Sequence, residues 1–213
     1  MSVKKKSLLL VGASRGVGCT TSNYLRSSGH VIYTAQRHPP IASLETDLDS
    51  EKEGFFGHCD FNKPADAIAL VQTFTEKEVK LDGVLFCVSQ AEAKPKYLWN
   101  AFDYREHFLV NVIGPVQLLI YLEHYEILKF GAPAVFTVNT GRIGGEFLPF
   151  GASQSALRPY VDFVHKAYPL NSDLLFIDRP EDGSEPQLDA YTEVMLKVFT
   201  EGYDGMGKVI SYK

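Results

Sequence analysis

The chain has few cysteines, no long apolar run and no excess of positive charge, and each shortage excludes something. Cys19, Cys59 and Cys87 are far apart and odd in number, and no Cys-x-x-Cys or Cys/His cluster accompanies them. A disulfide framework and a zinc site are therefore not expected, and a reducing compartment, the cytoplasm, suits such a chain. The longest apolar stretch, residues 108–122, is interrupted by Asn111, Pro115 and Gln117, and it falls short of the ~20 residues a membrane span needs. Lys4, Lys5 and Lys6 followed by an apolar run mimic a signal peptide, but the run is short and reads better as a first buried strand. With 21 Lys+Arg against 26 Asp+Glu the net charge is −5. Nothing in that balance offers a footprint for a phosphate backbone, so nucleic-acid binding is not expected.

What is present is a regular alternation. Of the 213 residues, 45% are hydrophobic, and a chain of this length buries roughly 70–75% of its unfolded surface. Short β-branched runs at 7–11, 30–35, 54–59, 83–89, 134–139, 173–177 and 208–212 read as strands. Most are near-continuously apolar, as strands covered on both faces are. Between them, 16–28, 64–78, 98–129, 152–167 and 188–200 read as helices. Strict alternation predicts a parallel sheet of about seven strands with helices on both faces, in one domain spanning residues 1–213. Pro159 removes a backbone donor inside the fifth helical pattern, which predicts a kink or an irregular turn after Gln154. The polar connections 90–97 and 178–186 follow strands, where open α/β sheets bind ligands.

The sharpest local signal is SLLLVGASRGVGCTTSNYL, in which a strand ends at Val11, Gly12, Gly16 and Gly18 follow, and a helix begins. Such glycines permit a tight turn, close approach to a pyrophosphate and close helix–strand packing, while the helix start offers free N–H groups to an anion. The turn with Ser14, Arg15 and Val17 thus predicts a dinucleotide site. A carboxylate ending the second strand would repel a 2′-phosphate, but Gln36 and Arg37 stand there. Arg37, with Arg15 beside it, suits a phosphate, so NADP(H) is favoured over NAD(H).

These segments together resemble the short-chain dehydrogenase/reductase family, from about residue 7 to the C-terminus. VGASRGVG is similar to that family's TGASRGIG, and Asp60 with Phe61 lies over its adenine-contacting segment. Asn111 matches the Asn of its fourth helix and FGASQSAL lies over YxASKxAL, whereas the family's strand-four NNAG, on the cofactor side, is replaced by Cys87, Val88, Ser89 and Gln90. The resemblance implies a Rossmann-like doubly wound fold, oxidoreductase chemistry and a homodimer or homotetramer through the fourth and fifth helices.

The departures bear on activity. The family's proton-transferring Tyr is Phe150 and its Lys is Gln154, so one has no proton to give and the other no charge to lower a pKa. Thr140 is the plausible counterpart of the substrate-orienting Ser, with Gly141 an almost equal alignment, and only Asn111 survives unambiguously. Tyr125 and Lys129 repeat the Tyr-x-x-x-Lys spacing among apolar neighbours that suggest packing, while Tyr97, Tyr104 and Tyr160 are nearer the expected cleft in sequence. His58 and His107 are the histidines closest to it. Two readings follow: an NADP(H)-dependent oxidoreductase with a degenerate catalytic site, or a dinucleotide-binding pseudoenzyme that regulates or supports a partner. A structural subunit that binds no nucleotide is the weaker third, because it would leave the glycine turn without a ligand.

Overall fold

A computed structural model of the chain describes residues 4–38, 54–139, 145–178, 185–201 and 209–210. The strands are β1 (Ser7–Val11), β2 (Val31–Gln36), β3 (Phe56–His58), β4 (Gly83–Phe86), β5 (Pro133–Val138) and β6 (Asp173–Asp178), with a two-residue β7 (Val209–Ile210) beside β6. All pairs are parallel, in the order β3-β2-β1-β4-β5-β6-β7. The helices are α1 (Gly16–Ser27), α2 (Pro64–Glu76), α3 (Ala101–Phe108), α4 (Gly114–His124), α5 (Leu148–Ala167) and α6 (Glu185–Glu201). The sheet is doubly wound, as the alternation predicts.

Near-continuous apolar strands arise because successive side chains feed opposite layers. Leu9 and Val11 enter the core shared with α2, α4 and α5, around Phe74, Leu119 and Leu157. Leu8 and Leu10 enter the core shared with α1 and α6, around Leu25, Met195 and Phe199. Each fully buried leucine contributes about 1.5–3 kcal/mol relative to an exposed one.

The single helix expected over 98–129 is instead α3, one π turn over Leu109–Ile113, and α4 ending at His124. No Gly or Pro precedes Gly114 within it, so apolar periodicity gives no sign of the break. Asn100 caps α3 in a reciprocal capping box with Asp103. α5 runs unbroken through Pro159, whose position is exposed. Tyr125 is half exposed just beyond α4, and Lys129 donates to Asp82 Oδ1 at 2.7 Å near the start of β4. That pair lies at the wrong end of the sheet for catalysis, and its spacing is no longer helical.

His30 is buried at the same rim, accepting from the Lys6 N–H through Nδ1 at 3.2 Å, with Nε2 buried and unpartnered. Burial, then the Lys6 charge, lowers its pKa, and Asp82 partly offsets this. Below pH about 6.5 the unfolded imidazole takes up a proton that the folded one resists, so stability falls as pH drops and is flat above. His30→Gln should flatten this dependence. Thermal midpoints at pH 7.5 and 5.5 should differ less in the variant, at roughly 2–4 °C per kcal/mol of linkage.

Candidate functional site

The strand order reverses beside β1, where β2 leads one way and β4 the other, and the carboxyl ends of these strands splay open there. A cavity of about 380 Å³ occupies this crevice. Its floor is the turn from Val11 to Gly18, and one side is Ala35 and Gln36 at the end of β2 with Arg37 and His38 just beyond it. Cys59, Asp60 and Phe61 beyond β3 form another side, and Cys87 to Ala91 beyond β4, with Val110 and Thr137, close it.

The turn has this shape because Gly18 carries no side chain. A Cβ there would overlap the Gly12 carbonyl oxygen and come within 3.1 Å of Cys87 Cβ. Gly12 itself has φ +88° and donates its N–H to the Ala35 carbonyl at 2.7 Å, locking the turn to β2. The N-terminus of α1 has no side-chain cap and no acidic residue in its first turn. Its free N–H groups and positive dipole end therefore face the cavity unopposed. Arg15 and Arg37 are exposed at the rim, and Arg37 Nε donates to His38 Nε2 at 3.1 Å. The cavity thus combines cations, amide donors and apolar side chains in its lining.

Across the cavity, Asp60 Oδ1 accepts from the Asn62 N–H at 3.1 Å, and Asp66 Oδ2 accepts from the Asp60 N–H at 3.1 Å and lies 3.0 Å from His58 Nε2. His58 is thereby accounted for by structure. Cys59 is buried, and that burial, followed by Asp66 and Asp60, pushes its thiol up to about 12. At neutral pH it offers no thiolate.

Asn111 is buried in the π turn with its amide fully engaged. Its Oδ1 accepts from the Gln90 N–H at 2.6 Å, and its Nδ2 donates to the Gln90 carbonyl at 3.0 Å and to Ser153 Oγ at 2.9 Å. Ser153 in turn donates to the Phe150 carbonyl at 2.8 Å. The extra residue of the π turn aims Asn111 at the connection after β4, and both amide hydrogens are used. Phe150 is 1% exposed. Gln154 Oε1 accepts from the Asn139 N–H at 2.9 Å, at the end of β5. Asn139 Oδ1 is buried without a partner.

The connection after β4 is pinned at its far end too. Lys94 donates to Asp103 Oδ1 at 2.8 Å, lies 3.2 Å from Glu92 and 5.2 Å from the Trp99 ring centre, and its N–H bonds the Glu146 carbonyl. The hydrogen bond to Lys94, with one from the Asn100 N–H, holds the Asp103 carboxyl below its ordinary range. His107 is fully buried, its Nδ1 2.8 Å from the Asp103 carbonyl.

Of the residues singled out in the sequence, Gly12, Ser14, Arg15, Val17, Gly18, Arg37, Asp60, Phe61, Val88 and Ser89 line the cavity together. Gly16 opens α1 at φ +58° but is outside the wall, as are Asn111, Phe150 and Gln154. Thr140 and Gly141 lie outside the described residues. Gln36, His38, Cys87 and Val110 join the wall without a motif of their own. For the first three, the only signal was position at a strand's carboxyl end. Among the described residues no three His, Cys, Asp or Glu side chains converge as a metal site, and no helix is long and apolar enough to cross a membrane.

The family model of the short chain dehydrogenases matches residues 6–137. The chain belongs to that family. Many solved structures of short-chain dehydrogenases share its fold. A short-chain dehydrogenase/reductase-family oxidoreductase from Brucella ovis, in complex with a partially ordered NAD, superposes with TM-score 0.78 at 16% identity, covering 99% of this chain and 100% of that one. A putative dehydrogenase from Burkholderia cenocepacia with bound NADP gives 0.77 at 14%, over 99% and 92%. The ligand-free aldohexose dehydrogenase of Thermoplasma acidophilum gives 0.77 at 13%, over 98% and 92%. A search of the curated proteins finds no match.

Proposed function

We propose that the chain binds NADP(H) and works as an oxidoreductase whose proton-transfer site is degenerate. The observation that carries this reading is the pairing of an open, cation-rimmed cavity under the glycine turn with a side chain at position 150 that cannot exchange a proton. The turn amides, Gly12 and Ser14 would hold the diphosphate, and Arg37 with Arg15 the 2′-phosphate. Asp60, Phe61, Val88 and Ser89 would enclose the adenosine.

NADP(H), when bound, supplies the hydride. The chain's share is orientation and charge management, and it lacks the positioned acid that contributes ~10²–10⁴-fold to reduction of an ordinary carbonyl. A conjugated C=C, whose carbonyl can be polarised by Thr140 or water, tolerates that loss better. Asn111 acts here as a positioning residue that fixes the connection after β4.

The expected result is NADPH binding about tenfold or more tighter than NADH, since a charged hydrogen bond from Arg37 contributes about 1.5–3 kcal/mol. Arg37→Ala should erase most of that preference. Nucleotide fluorescence titration reads both, and equal binding of the two nucleotides discards the NADP assignment. In a turnover panel, enones should be reduced and simple ketones spared.

The second reading is a dinucleotide-binding pseudoenzyme that reports redox state to a partner. The inward commitment of Asn111 and Gln154 favours it. NADPH binding with no turnover of either substrate class would select it. The three free thiols suit a reducing compartment such as the cytoplasm. Exposed Phe102, Ile113 and Phe163 on α3, the π turn and α5 support a homodimer or homotetramer through those elements, which sedimentation would reveal.

A further inference from the structure

Gly114 opens α4 directly after the π turn, a place where a helix gains nothing from glycine. Its role is visible in what a side chain would meet. A Cβ on Gly114 would fall inside the Phe61 side chain, with Phe61 Cβ and Cδ1 each at 2.6 Å. Those are atoms at the root of the side chain and ring, not a flexible tip, so the clash cannot be relieved by a small rotation of a distal group.

Phe61 is held from the other direction as well. The Asp60–Asn62 turn and the Asp66 carboxylate fix the backbone on which it sits. Phe61 is 7% exposed and lines the cavity, as do Val88 and Val110. Apolar lining of this kind accepts the face of a purine base, which offers aromatic surface rather than charge.

We infer that Gly114 is a positioning residue for nucleotide binding: by having no side chain, it lets Phe61 seat against α4 and keeps the purine slot open. A side chain there drives the ring toward the space the base occupies. The inference rests on the dinucleotide reading above and extends it to a residue that does not line the cavity.

The test is calorimetric titration of the full chain with NADPH and with adenosine 2′,5′-bisphosphate, which presents the adenosine half alone. Gly114→Ala is expected to weaken both by about tenfold or more, the scale of an overpacked site. Gly114→Ala with Phe61→Gly, which removes all three atoms the added methyl would meet, should bind as Phe61→Gly alone does. A purely structural defect of the helix start would not be rescued from position 61. Parent-like affinity in a folded Gly114→Ala chain overturns the inference, as does a double variant that binds more weakly than Phe61→Gly alone. If Gly114→Ala does not fold, Phe61→Ala decides, with weaker binding of both ligands expected and unchanged binding overturning the proposal. Failure of the parent chain to bind NADPH overturns the dinucleotide reading and this one with it. Parent binding with an indifferent Gly114→Ala overturns this one alone.

Discussion

The double variant Phe150→Tyr, Gln154→Lys is expected to reduce a simple ketone with NADPH about 10²–10⁴-fold faster than the parent chain, the range a positioned acid supplies. Tyr alone should give little of this, because a phenol near its ordinary pKa of about 10 is a poor proton partner at neutral pH without a cation beside it. The structure adds a cost that the family comparison does not reveal. Gln154 Oε1 accepts from the buried Asn139 N–H, and a lysine cannot accept. Leaving that donor unpaired costs about 1–3 kcal/mol, so the double variant should melt lower, by roughly 2–4 °C per kcal/mol. Loss of NADPH absorbance with a ketone panel measures the gain, and a thermal scan measures the cost. A parent chain that already turns over simple ketones rapidly would refute the claim that these two exchanges disable it.

The second large effect concerns the turn. Gly18→Ala places a methyl against the Gly12 carbonyl and Cys87, both part of the cavity floor or wall. Neither can retreat without moving β1 or β4. Overpacking of this kind costs about 1–3 kcal/mol, equivalent to about 5–150-fold if it falls on nucleotide affinity. Gly29→Ala is the control: its φ is +89° but nothing lies within 4 Å of a Cβ there. It should lower the melting temperature through backbone strain alone and leave NADPH binding unchanged. Equal affinity of Gly18→Ala and parent would mean that the ligand does not approach this turn.

How much of this was legible depends on how local each feature is. β1, the glycine turn and α1 read almost residue for residue, because a leucine run, three glycines and the next polar stretch each have one physical interpretation. The cavity lining followed, since parallel strands deliver their carboxyl ends to one rim. The π turn was not legible, because Leu109 to Ile113 is apolar on either helical period and its cause is the distant partner of Asn111. The fate of Gln154 was hidden for the same reason. Its carbonyl oxygen meets a backbone amide fifteen residues upstream, a contact that nothing in its own helix signals. Gly114 carries no local signal either, because Phe61, for which it leaves room, is distant in sequence.

The parallel sheet also separates two responsibilities along its own strands. His30, Asp82 and Lys129 gather where the strands begin, and the nucleotide crevice opens where they finish. Acid sensitivity and ligand grip are therefore housed some strand-length apart, joined by the apolar packing of the strands between them. A lineage could therefore erode its chemistry at the crevice while the packed rim where the strands begin went on holding the same shape, and a cavity without its customary acid would be inherited intact.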